Sequence, residues 1–144
     1  MPSPAAGHLR QRLAMQPIPQ EGGWFVAGPR TARMSCVTVL LTDERDGFSA
    51  LHRLSVDEGW QWLDGDPVRL VRLGSVTVTL GGPGPTQAVV DAGTWQGART
   101  TGAWSLLSCW CAPAFADDVF ELGDRHQLLE RFPEQRDEIT ALTR

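Results

Sequence analysis

His52 and Glu58 are the side chains of this chain best placed to do chemistry. They sit six residues apart in the run from Ser49-Ala50-Leu51-His52 to Gly65-Asp66-Pro67. An imidazole beside a carboxylate is either half of a metal site or an acid/base pair. As a metal site it needs further nitrogen or oxygen donors to hold a transition ion. As an acid/base pair it needs none, because a carboxylate bonded to the ring raises its basicity and fixes its tautomer. Such a pair can take a proton from carbon next to a carbonyl and return it elsewhere, the step shared by isomerisation, epimerisation, dehydration and cyclisation.

Around this pair stand residues that could bind rather than react. Trp60 and Trp62 share strand parity with Glu58, so they either stack on a ring-shaped ligand or fill space. Arg53 and Arg99 carry planar donor forks suited to a carboxylate or phosphate, but Arg53 alternates with His52 and is expected to face away from it. Three cysteines, an odd number, argue against a disulfide framework. Cys109 and Cys111 flank Trp110 and share a strand face, where two thiolates could approach a metal. Burial as small hydrophobes is the stronger reading. His8 and His126 fall on expected helices among charged residues and are read as solvent-exposed.

The elements that must position these residues are short strands. A formal charge of −4 gives no electrostatic reason to expect nucleic acid or an anionic membrane as partner. No 18-residue apolar run occurs, and the N-terminus lacks the basic-then-apolar order of a secretory signal, so a cytoplasmic protein is expected. Residues 1–8 read as a flexible tail and 9–144 as one domain. A short helix is predicted over His8 to Met15, closed by Pro17, and Trp24 starts a strand. Alternation then predicts strands near Val37–Leu41, 48–54, 58–63, 68–73, 76–80, 87–90, 95–100 and 104–111, broken by Gly-rich turns. His52 and Glu58 are expected on two strands joined by a tight loop and delivered to one face. Past Phe120 the pattern turns helical, with Asp124 as N-cap, an apolar stripe of Leu128, Leu129 and Phe132, and a further piece over Gln135–Leu142. Strands without intervening helices predict an antiparallel sandwich or barrel.

Together with Asp91-Ala92-Gly93-Thr94-Trp95-Gln96, the run from His52 to Gly65 resembles the two motifs of the cupins. More closely, the chain resembles the cupin type 5 family of small proteins. Pro19-Gln20-Glu21-Gly22-Gly23-Trp24-Phe25 is similar to that family's entry motif, and Ala112-Pro113, Phe115 and Phe120-Glu121-Leu122 match in order, so the likeness spans roughly residues 9–142. It implies an all-β double-stranded β-helix, a jelly-roll barrel open at one end with short N- and C-terminal helices, commonly paired as a homodimer. Cupin metal sites use a His-x-His pair and a Glu from the first motif and a His from the second; at those positions this chain has Ala50, His52, Glu58 and Gln96. Alanine offers no donor and an amide oxygen is a poor one. The expectation is therefore no tightly held cofactor, with His52, Glu58 and Gln96 able to hold a divalent metal only weakly.

These readings combine into one expectation. It is a cupin-fold enzyme of isomerase, epimerase, dehydratase or cyclase type, acting by proton transfer on a small metabolite, in a setting such as secondary metabolism. His52 and Glu58 would be catalytic, and Gln96, Trp60, Trp62 and Glu21 would contact the ligand. Two alternatives stay open: a metal-dependent oxygenase or lyase, and a non-catalytic module that binds small molecules. Fold alone does not choose among them.

Overall fold

From Trp104 to Ala112 every second side chain is buried, starting with Ser105 and running through Leu107, Cys109 and Cys111. A segment patterned in this way must present one face to a core and the other away from it. The computed structural model describes residues 2–144. It arranges this and ten further segments as strands β1 (Gln16–Pro17), β2 (Trp24–Arg30), β3 (Ser35–Thr42), β4 (Ser49–Leu54), β5 (Asp57–Gly65), β6 (Val68–Arg72), β7 (Val78–Leu80), β8 (Gln87–Val90), β9 (Gln96–Thr100), β10 (Trp104–Ala112) and β11 (Phe120–Leu122). They form a six-stranded sheet in the order β1-β2-β3-β10-β5-β8 and a five-stranded sheet in the order β11-β4-β9-β6-β7. Neighbouring strands run antiparallel.

The two sheets face each other across a core. Val39, Leu41, Trp60, Leu107 and Cys109 come from the larger sheet, and Val68, Leu70, Leu80 and Ala98 from the smaller. A second core lies outside the smaller sheet, where Leu51, Val71, Leu73 and Trp95 meet Leu128, Ile139 and Leu142. The latter belong to the C-terminal segment with helices α2 (Arg125–Arg131) and α3 (Arg136–Ala141). β4 is consequently buried on both faces. Asp124 caps α2 as expected, its Oδ1 accepting the Gln127 backbone N–H at 2.9 Å. This is the all-β double-stranded β-helix with short terminal helices that the resemblance implies.

Three local expectations need correction. The N-terminal helix α1 spans Pro4–Arg12, so residues 4–8 of the expected tail are helical and the helix ends short of Met15. Pro4 suits a first helical turn, where no backbone N–H is needed, and Ala14, with φ 52°, takes the chain out of the helix. Met1 lies outside the described residues. Phe120–Leu122 forms an edge strand on β4 before any helix begins. Finally, the tight connection from β4 to β5 does not deliver His52 and Glu58 to one sheet face. The two strands belong to opposite sheets, and Ser55-Val56 carries the chain across the barrel. Among the described residues no helix is long and apolar enough to cross a membrane.

Candidate functional site

The crossing from β4 to β5 sets His52 and Glu58 face to face. Within the smaller sheet, His52 is in register with Gln96 and Gln96 with Arg72, so the three share a row on its inner face. Opposite stands a row of the larger sheet in which Glu58 is flanked by Val90 and Cys111. His52 Nε2 lies 4.0 Å from Glu58 Oε1 and 3.8 Å from Glu21 Oε1. Glu21 comes from the loop between β1 and β2. Its backbone carbonyl accepts the Ala50 N–H at 2.9 Å, and its Oε2 accepts the Ser49 hydroxyl at 2.7 Å. Glu21, expected as a ligand contact, is thus part of the polar cluster.

The environment fixes the imidazole. His52 Nδ1 lies 2.8 Å from the Ala50 carbonyl oxygen, which can only accept, so Nδ1 carries a proton. In the neutral ring Nε2 is then the bare nitrogen, and it faces both carboxylates. Phe120 stacks on the ring with centroids 5.4 Å apart.

Glu58 is buried, and no hydrogen bond reaches its Oε1. Burial pushes its carboxyl up to about 7; the His52 imidazole opposes the rise, the Glu21 carboxylate reinforces it, and the nearby Gln96 and Trp60 donors oppose it. On the other side the Cys111 thiol lies 3.9 Å from Oε2. Burial and then Glu58 push Cys111 up to about 12, and burial raises Cys109. Both thiols stay protonated at neutral pH, which favours the reading of buried hydrophobes over a pair of thiolate ligands.

The remaining expected residues divide. Gln96 belongs to the cluster, but its Oε1 accepts the Trp60 indole N–H at 2.8 Å. Trp60, 2% exposed, fills the space between the sheets and holds the amide in place. Trp62 lies farther along β5 over Gly81, its indole N–H donated to the Asp66 carbonyl at 3.1 Å, and it is not part of the cluster. Arg53 points outward as parity predicts, paired with Glu121 at 2.9 Å and stacked 4.7 Å over Trp95. Arg99 is exposed on the outer face opposite Arg69. His8 and His126 are exposed.

The cluster is a largely buried polar layer that reaches solvent through Glu58 and Glu21. The side chains of His52, Glu58 and Glu21 are 2%, 12% and 17% exposed. Cavities of about 400 and 470 Å³ also lie on the outside, one beside residues 134–138 and one between Phe48 and Arg144.

As a metal site the donors fit poorly. Ala50 supplies nothing, and the Gln96 oxygen is committed to Trp60. Among the described residues no three His, Cys, Asp or Glu side chains are grouped to share an ion. The cupin fold is compatible with a weakly held metal.

Two facing antiparallel sheets with an imidazole and a carboxylate meeting between them define a cupin barrel. The chain belongs to the Cupin_5 family, described as "Cupin superfamily (DUF985)", whose match spans residues 8–123. Among solved structures it is similar to a hypothetical protein from Leishmania major (26% identity, TM-score 0.85, 96% of this chain and 98% of that one). It is also similar to a protein from Shewanella oneidensis (26% identity, TM-score 0.87, 96% and 97%). The DMSP lyase DddQ from Ruegeria pomeroyi shares the fold at 14% identity (TM-score 0.58, 82% and 63%). No curated protein matches the sequence.

Proposed function

We propose that this cupin is an enzyme that moves a proton on a small metabolite, as an isomerase or lyase, with His52 and Glu58 as the reacting groups. The observation that carries this reading is the bare Nε2 of His52 opposite a buried Glu58 carboxyl whose Oε1 has no hydrogen-bond partner. The nitrogen accepts a proton from carbon next to a carbonyl, and the imidazolium so formed is stabilised by the Glu21 carboxylate at 3.8 Å, and by Glu58 at 4.0 Å once that group has given up its own proton. Glu58, protonated in about half the molecules near pH 7, donates its proton to the second position or to a departing hydroxyl. Transfer from His52 back to Glu58 restores the resting state, so the cycle consumes no proton. Gln96, anchored by Trp60, orients the substrate through its amide N–H groups. That a lyase occurs on this barrel in Ruegeria pomeroyi makes such chemistry compatible with the fold. A cytoplasmic location, a biosynthetic setting and a homodimer belong to the same proposal; sedimentation at several concentrations reads the last.

The test is incubation in D2O with a panel of small oxo compounds, hydroxy acids and sugars, followed by proton NMR. Wild type is expected to exchange or convert at least one member, and His52→Ala to slow that reaction by about 100-fold or more. A folded His52→Ala protein working at the wild-type rate overturns the proposal.

A further inference from the structure

Only two buried side-chain polar atoms among the described residues lack a hydrogen-bond partner, and both lie on the inner rows around His52. One is Glu58 Oε1; the other is Nε of Arg72. Buried donors and acceptors are nearly always satisfied, so two orphans in one layer mark where a ligand's own groups complete the pattern.

Arg72 faces this layer for a reason that can be read along β6. Val68 and Leu70 belong to the core between the sheets, whereas Arg69 binds Glu138 of α3, and Val71 packs under the C-terminal helices. Parity therefore puts Arg72 on the inner side, and its register with Gln96 puts it in the His52 row. It forms no ion pair with any described residue. Its only hydrogen bond runs from Nη2 to the Val76 carbonyl at 3.1 Å, which ties the guanidinium to the β6–β7 turn without neutralising it. A half-buried cation held in place and left without an anion is an anion site.

We propose that Arg72 binds the carboxylate of a small hydroxy- or oxo-acid whose other polar group meets Glu58. The orphaned N–H needs an acceptor, and a carboxylate supplies both that acceptor and the missing charge. Two strand spacings, about 10 Å between backbones, separate Arg72 from His52. That spacing along one row suits a molecule of a few carbons, its carboxylate at one end and its reacting carbon at the other. The proposal names the substrate class of the proton-transfer reading and rests on it for the reaction, but not for binding.

Calorimetric titration of the intact protein with lactate, pyruvate and malate, and with neutral lactamide, tests it. At least one carboxylate is expected to bind, lactamide about tenfold more weakly than lactate or worse, and Arg72→Gln to erase that preference. Arg72→Lys should retain part of it, and Arg99→Gln, on the outer face, all of it. Thermal melts identify any variant that fails to fold, in which case Arg72→Lys carries the comparison. No binding of any carboxylate by wild type, equal affinity for lactate and lactamide, or unchanged carboxylate affinity in a folded Arg72→Gln protein overturns the proposal. Carboxylate binding that needs Arg72 but gives no deuterium exchange leaves it standing and removes the proton-transfer reading instead.

Discussion

Near neutrality the charge on Glu58 is in balance, because burial penalises its carboxylate and the His52 imidazole only partly offsets the penalty. The sign of its effect on stability follows. With a folded value of about 7 against an ordinary 4.5, the native state holds more protons than the unfolded chain between those two pH values. Glu58 is therefore best tolerated below pH 4.5, its contribution falls as pH rises to 7, and it stays low above that. The whole loss is about 3 kcal/mol. Glu58→Gln removes the titration and keeps the shape. Urea midpoints measured for both proteins from pH 4 to 8 should diverge in favour of the variant as pH rises, and parallel curves would show that Glu58 keeps an ordinary carboxyl. His52→Ala should steepen the effect, since it removes the largest of the influences that favour the carboxylate.

At the scale of elements, β5 and β10 hold the site through a single close approach. A Cβ on Gly59 would lie 1.9 Å from the Trp110 ring, so the indole on the outer face lies directly over the residue between Glu58 and Trp60. Gly59→Ala forces either the ring or the strand to move and should cost about 1–3 kcal/mol. Trp110→Ala should relieve most of that cost, and a double-mutant cycle on thermal stability measures the coupling. The same strands show what the sequence made legible. The Gly-rich breaks marked the turns on either side of β6 and β7, whereas β10, with Leu106-Leu107 and Cys109 to Ala112 in unbroken runs, did not announce its inner face. Arg72 was hidden because β6 is apolar on both faces: Val68 and Leu70 face the barrel, Val71 faces the helices, and parity alone names no inside. Glu21 was legible as a loop residue over the site, but not as a neighbour of His52, since that contact depends on the β1–β2 loop hydrogen-bonding across to Ala50. Cys111 was read as a buried hydrophobe. Its place beside Glu58 follows from the β5–β10 register, which is set by pairing between distant segments.

For the molecule as a whole, the strand that carries His52 is held from behind. The Leu51 N–H, one residue before His52, donates to the Leu142 carbonyl at 2.8 Å, and Gly97, next to Gln96, packs against the Leu142 side chain. Ile139, fully buried, fills the space between the C-terminal helices and the smaller sheet. The helices therefore act as the outer wall of the barrel and hold both His52 and Gln96 in their row. Ile139→Ala opens a cavity in that wall and should cost about 2–5 kcal/mol of stability. Because the wall backs the smaller sheet alone, the loss should not be uniform. Amide hydrogen exchange of the folded variant should speed up in β4 and β9 more than in β3 and β10, whose inner residues pack in the separate core between the sheets. Equal acceleration in both sheets would mean that the two layers open as one unit, and the C-terminal segment would then be part of the barrel core rather than a brace behind the site.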